Sequence, residues 1–240
     1  MPPRFFIEGP LHAGARIELP PGAARHVQVL RLQPGVPIIV FNGLGGEWEA
    51  RVASIGRSAV QAEIGEHRAV DRELPLVVTL AVGMPANERM DTLVEKASEL
   101  GAALIQPLLT ERSVLRLAGE RAERRREHWQ AIAAAACEQC GRTRVPSVEP
   151  VQLLSAWLAD RDRAATGWLL SPTQEASPLA DEPLPRASVH LLSGPEGGLS
   201  PSETDAARAA GFISLGLGPR TLRADTAPLA ALAYVALRVR

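Results

Sequence analysis

Leu191–Leu192–Ser193–Gly194–Pro195–Glu196–Gly197–Gly198–Leu199–Ser200 and Leu215–Gly216–Leu217–Gly218–Pro219–Arg220–Thr221–Leu222–Arg223 decide the reading of this chain. Each stretch opens on a short apolar run, breaks at glycines and leads into a helix signal. Val189, Leu191 and Leu192 predict a buried strand. Beyond the glycines, Ser200 reads as a helix N-cap, Pro201 as the first helical residue and Glu203 as the second half of a capping box. Gly211 suits the end of that helix. Phe212, Ile213 and Leu215 predict another strand. Asp225 or Thr226 then caps a last helix, with Leu229, Leu232, Ala233, Ala236 and Leu237 on one face. Glycines in such turns let the main chain approach a ligand with no Cβ in the way. Two of these loops close together point to one ligand site built largely from backbone. The run G-P-E-G-G from Gly194 to Gly198 is not the dinucleotide fingerprint, and no phosphate-loop lysine follows it.

Upstream of these loops, strands and helices alternate, the pattern of an α/β layer with a parallel sheet. Leu76 to Val82 reads as a strand, and Met90, Leu93, Val94, Ala97 and Leu100 fall on one helical face that Gly101 ends. Ala103 to Leu109 returns as a strand, Glu120 to Cys140 is a long helix, Leu153–Leu158 another, and Gly167–Leu170 a strand. Glu175–Pro185 reads as a polar, proline-rich loop. Residues 1 to 70 differ. Short apolar runs (Arg4–Ile7, Arg16–Leu19, Pro37–Phe41, Glu47–Ile55, Ala59–Ile64) recur between Gly, Pro and Asn, with a short helix from Ala23 to Leu30, and this spacing fits a small β-barrel. Asn42–Gly43–Leu44–Gly45–Gly46 reads as the loop of a hairpin. The boundary falls near Asp71–Pro75, giving domains of 1–70 and 75–240.

The 240 residues are 46% hydrophobic, enough for a real core, with 4% aromatics, so the core rests on Leu, Val, Ile and Ala. No run of about 18 apolar residues occurs, and the N-terminus lacks the features of a signal peptide. A cytoplasmic chain with no membrane partner is expected. Cys137 and Cys140 form C-x-x-C late in the long helix, with no second ligand pair for zinc, and His12, His67, His128 and His190 show no ligand spacing. No metal is expected. The net charge of −1 says little for nucleic acid, but the distribution says more. From Arg112 to Arg144, eight arginines stand against four glutamates. The Arg121–Arg126 run within it reads as a solvated face.

The two glycine loops resemble those of the SPOUT methyltransferases, and within that class the chain resembles the RsmE family. P-R-F-F-I (Pro3–Ile7), E-K-A-S-E-L-G (Glu95–Gly101) leading to P-L-L-T-E-R-S (Pro107–Ser113), and E-Q-C-G-R-T-R-V-P (Glu138–Pro146) match the same family in order. The resemblance implies a PUA-like β-barrel followed by a SPOUT α/β domain with a trefoil knot, which general topology rules would not suggest. It implies transfer of a methyl group from S-adenosylmethionine to N3 of a uridine in small-subunit (16S) ribosomal RNA, by a homodimer. The nearest alternatives are another SPOUT enzyme acting on the 2′-O-ribose and a non-catalytic RNA-binding assembly factor.

The resemblance also assigns residues. Leu170–Ser171–Pro172, Leu192–Ser193–Gly194 with Gly197 and Gly198, and Leu215–Gly216–Leu217 with Leu222 would hold the donor. Uridine N3 must lose a proton to become a good nucleophile, which calls for a general base or for a cation beside the developing anion. Glu196 is a candidate base, or alternatively a brace that accepts backbone N–H groups. Arg223 and Arg220 are candidate cations. For RNA, the candidates are Arg4, His26, Arg31, Arg112, Arg142 and Arg144.

Overall fold

The short apolar runs at the start of the chain become strands β1 (Arg4–Phe6), β2 (Arg16–Glu18), β3 (Pro37–Phe41), β4 (Glu47–Ile55) and β5 (Val60–Arg68). Helix α1 (Pro21–Val29) starts two residues earlier than expected, with proline at its first position. The computed structural model describes residues 2–57, 59–86, 88–173 and 176–239. The sheet order is β1-β3-β4-β5-β2, antiparallel except for the β1–β3 pair. Among the described residues its ladder leaves β1 and β2 unpaired with each other, so the expected barrel is an open one in its hydrogen bonding. Alternation along β4 and β5 sends Ala50, Val52, Val60, Ala62 and Ile64 inward against Phe5, Ile38, Val40 and the Ala23, Ala24, Val27 face of α1. Each fully buried aliphatic or aromatic side chain contributes roughly 1.5–3 kcal/mol.

The remainder forms strands β6 (Val77–Gly83), β7 (Leu104–Leu109), β8 (Ser147–Val148), β9 (Gln152–Leu153), β10 (Thr166–Leu170), β11 (Ser177–Pro178), β12 (Ser188–Ser193) and β13 (Phe212–Gly216). Between and after them run α2 (Glu88–Glu99), α3 (Gly119–Cys140), α4 (Leu154–Asp160), α5 (Pro201–Ala209) and α6 (Thr226–Arg238). All strand pairs in this sheet are parallel, in the order β11-β13-β10-β12-β6-β7-β8, with β9 also on β7. A parallel sheet is covered on both faces, so its central strands are buried along nearly their whole length, as β6 and β12 are, with Thr79 and His190 taken into the core among the apolar residues. The loop expected from Glu175 to Pro185 begins outside the described residues; within it, Ser177–Pro178 pairs as β11 and Leu179–Asp181 makes a single 3-10 turn.

The capping box at α5 is realised: the Ser200 side chain accepts the Glu203 N–H, and the Glu203 carboxylate accepts the Ser200 N–H. The expected cap of α6 is not. Asp225 occupies the N-cap position but makes no capping bond. One usual donor, the N–H of the third helical residue, is missing because that residue is Pro228. The Thr226 and Ala227 N–H groups turn instead to the Arg223 carbonyl, each at 3.0 Å.

Contacts divide the chain into two units, Met1–Glu73 with Ala134–Val145, and Leu74–Ala133 with Pro146–Arg240. A single cut near residue 71–75 therefore misses one crossing. The end of α3 and the segment after it belong to the first unit: the Glu138 carboxylate accepts the Phe6 N–H at 2.7 Å, and Arg4 donates to the Arg142 carbonyl at 3.0 Å. Among the described residues no helix is long and apolar enough to cross a membrane.

Candidate donor-binding and methyl-transfer site

Strands β13, β10 and β12 are neighbours and run parallel, so their C-terminal ends open on one edge of the sheet, where open α/β sheets place ligands. The segments leaving them are 171–173, 194–199 and 217–224, and all three line one cavity of about 600 Å³. Of the residues expected to hold the donor, Leu170, Ser171, Pro172, Ser193, Gly194, Gly197, Gly198, Leu217 and Leu222 line it. Leu192 and Leu215 do not. They are fully buried in the core. Gly216 ends β13 and also lies off the wall. The three catalytic candidates, Glu196, Arg220 and Arg223, and the RNA candidate Arg112 are all on the wall.

The glycine positions have a steric cause. A Cβ on Gly194 would lie 2.7 Å from the Leu199 amide nitrogen and 2.8 Å from the Gly198 carbonyl carbon, so the turn could not close. Gly198 has φ of +67°, in the left-handed region, and its N–H closes the turn onto the Pro195 carbonyl at 2.8 Å.

Glu196 Oε1 accepts from the Ala86 N–H at 3.1 Å and from an Arg89 guanidinium nitrogen at 3.0 Å. Burial pushes its carboxyl upward. The Ala86 amide, its own amide and Arg89 outweigh that and hold it below the usual carboxylate range. Of the two alternatives open from sequence, base or brace, this geometry matches the brace: an ion-paired carboxylate with a lowered pKa is a weak proton acceptor. Arg89 itself was missed from sequence. Its only signal is its place in the first turn of a helix that follows a strand end. Thr173, Thr204 and Thr221 line the cavity too and carry no sequence signal. Arg220 and Arg223 are exposed, and neither guanidinium has a partner among the described residues.

The RNA candidates of the first unit separate by burial. His26, Arg31 and Arg144 are exposed. His26 stacks edge-on to Phe5 at 5.6 Å, and Arg31 adopts φ of +52°. Arg4 and Arg142 lie in the interior instead. Arg4 is 7% exposed and ion-paired to Glu47; Arg142 is 4% exposed and ion-paired to Glu73. Arg72 also reaches Glu47, at 3.3 Å. A buried guanidinium already neutralised by a carboxylate has no face for a phosphate. In the same segment the Cys137 thiol is pushed up by its hydrogen bond with Cys140 and by burial, which leaves it unreactive.

This arrangement matches known proteins along the whole chain. Residues 72–236 match the RNA methyltransferase domain, and residues 19–65 match the RNA methyltransferase PUA domain. The all-parallel sheet with its C-terminal loop cavity fits the SPOUT class of RNA methyltransferases. The ribosomal RNA small subunit methyltransferase E of Bacillus subtilis is 34% identical over 87% of this chain and 84% of its own length. The enzyme of that name from Neisseria gonorrhoeae, bound to S-adenosylmethionine, superposes with a TM-score of 0.92 at 38% identity, covering 98% of this chain and 96% of that one. A methyltransferase from Legionella pneumophila, solved with bound S-adenosylmethionine, gives a TM-score of 0.93 at 33% identity, covering 98% and 97%. The chain belongs to the ribosomal RNA small subunit methyltransferase E family.

Proposed function

We propose that this protein transfers the methyl group of S-adenosylmethionine to N3 of a uridine in small-subunit (16S) ribosomal RNA. One observation carries the reading: three loops from adjacent parallel strands line a single cavity, in a chain 33% and 38% identical to proteins crystallised with that donor. The cavity suits such a ligand. About 600 Å³ lies within the range of small-molecule pockets. Leu170, Leu217 and Leu222 offer apolar faces to a purine, and the main chain at Ser193, Gly194, Gly197 and Gly198 offers polar groups to its edge. When bound, the donor supplies an electrophilic methyl group on a sulfonium.

The protein's own task is to position the uridine and to manage its N3 proton. Arg223, on the cavity wall and unpaired among the described residues, stabilises the anion that forms across N3 and the flanking carbonyls as the proton leaves. Arg220 supports it from the same loop. Residues 1–70 with the returning segment Ala134–Val145 act as the RNA-binding module, with His26, Arg31 and Arg144 as contacts, and the rest of 75–240 as the catalytic domain.

A trefoil knot and a homodimer belong to the same proposal. β13 lies beyond β10 in the sheet, yet α6, which follows it, packs back on β12, β6 and α2. That return path past the β10 loop supports threading. The apolar composition of α6 supports a partner copy on it, and the RNA substrate agrees with a cytoplasmic location.

The test is transfer of labelled methyl to small ribosomal subunits lacking the modification, followed by nucleoside analysis. Label in 3-methyluridine that Arg223→Ala abolishes is the expected result. Label in a 2′-O-methyl nucleoside overturns the specificity, and absence of donor binding overturns the activity.

A further inference from the structure

We propose that Arg112 is a positioning residue of the donor loop, acting with the Glu196–Arg89 pair, and that it sets affinity for S-adenosylmethionine and not for RNA. The proposal rests on the reading of this cavity as the donor site. A glycine-rich loop is costly to order, because its residues lose the most conformational freedom. Residues 194–199 are nevertheless held from two flanks. On one, Arg112 Nη1 donates to the Gly197 carbonyl at 2.9 Å and to the Leu199 carbonyl at 3.3 Å. The stem of the same side chain lies so close that a Cβ on Gly197 would sit 3.1 Å from Arg112 Cβ. On the other, Glu196 takes the Ala86 N–H and the Arg89 guanidinium. Further along, Glu203 Oε1 takes the Glu111 N–H at 2.8 Å. Groups from the segments after β6 and β7 thus grip the segment after β12 between them.

The neighbouring segment 217–224 shows the contrast. Arg220 and Arg223 have no partner there among the described residues and are free for a substrate. Arg112 spends its Nη1 on the main chain of the loop. Binding a ligand to a loop already held in shape costs less ordering entropy than binding to a free one, so the brace acts on donor affinity.

The experiment titrates S-adenosylmethionine calorimetrically into wild type, Arg112→Ala and Arg112→Lys. In parallel, binding of small-subunit ribosomal RNA is measured across a salt series. Arg112→Ala is expected to weaken donor binding about tenfold, as for loss of one charge-assisted hydrogen bond. The KM for the donor should rise by more than kcat falls. RNA affinity and its salt slope should stay at the wild-type values, and Arg112→Lys should recover part of the donor affinity. Unchanged donor affinity with a salt slope reduced by about one overturns the proposal, since that is the signature of a lost phosphate contact. Should Arg112→Ala not fold, Glu196→Gln keeps an acceptor for the Ala86 amide and removes the charge facing Arg89. It must show the same donor-selective weakening, and wild-type donor affinity in it overturns the proposal. A wild-type chain that takes up no donor refutes the reading of the cavity itself, a result distinct from either of these.

Discussion

Replacing Arg31 with glycine should make the protein more stable and worse at holding RNA. Helix α1 ends in a Schellman turn: the Leu32 N–H reaches the Val27 carbonyl at 3.1 Å, and the Arg31 N–H reaches the Gln28 carbonyl at 3.0 Å. That turn requires its first residue past the cap to adopt the left-handed conformation, and Arg31 does so at φ of +52°. Glycine is the usual occupant; a side chain there costs about 1–2 kcal/mol. Glycine returns that strain and costs about 0.4–1 kcal/mol through a freer unfolded chain. The exposed guanidinium has no partner among the described residues, so no internal contact is lost. The net gain is about 0.5–1 kcal/mol, or about 2 °C in Tm for a single transition in a chain of this size. Urea midpoints at unchanged m-value measure it. If Arg31 is kept at this strained position for its charge, the salt slope of RNA binding falls by roughly 0.7–0.9. A less stable variant refutes the strain argument. A more stable variant with an unchanged salt slope leaves the strain real and removes RNA as its reason.

Two further predictions concern the second unit. Gly194→Ala should abolish measurable donor binding in calorimetry, because its Cβ would fall 2.7 Å from the Leu199 nitrogen, whereas Gly198→Ala, with nothing within 4 Å of its Cβ, should cost only about 1 kcal/mol of backbone strain and bind more weakly; the reverse ranking would show that the turn is not what holds the ligand. His190 is held below the ordinary imidazole value, first by burial and then by the Arg161 guanidinium, so below about pH 6.5 the unfolded chain binds more protons than the folded one and stability should fall with falling pH through the folded pKa; in urea titrations between pH 8 and pH 5, His190→Gln should show a shallower loss than wild type, and parallel pH curves would count against it.

The C-terminal loops are legible from sequence because each step there is written locally. The Ser200–Pro201–Ser202–Glu203 box fixes where α5 begins, and the G-P-E-G-G run where β12 must stop. Strand order is not local. Nothing in the composition of β10 says that it lies between β12 and β13, although it precedes both in the chain. The return of Ala134–Val145 to the first unit is equally silent. A 22-residue helix presents one continuous pattern, and no periodicity tells which of its turns packs on which neighbour. The α6 cap fails as a prediction for a different reason. Asp225 carries the right side chain, but Pro228 removes one of the amides that it would bond.

The arginines show how far a motif can be carried. Arg4, Arg31, Arg112, Arg142 and Arg144 are all assigned by the family resemblance, and a resemblance records that a position matters without recording why. What separates them is the charge each already meets in the fold. Arg4 and Arg142 each face a carboxylate that is itself largely buried, and removing one member of such a pair typically costs about 3–5 kcal/mol, because it strands the other. Alanine at either position should therefore act on folding of the first unit, and lost RNA binding in such a variant would say nothing about contact. Arg112 meets carbonyl oxygens, which orient its guanidinium and leave its charge unneutralised. Arg31 and Arg144 are exposed, and their side chains meet no carboxylate among the described residues. Counterion release on RNA binding draws on guanidiniums of that last kind. The measurable electrostatic footprint of this chain should accordingly be smaller than its arginine count suggests, and it should be carried by the exposed, unpaired guanidiniums.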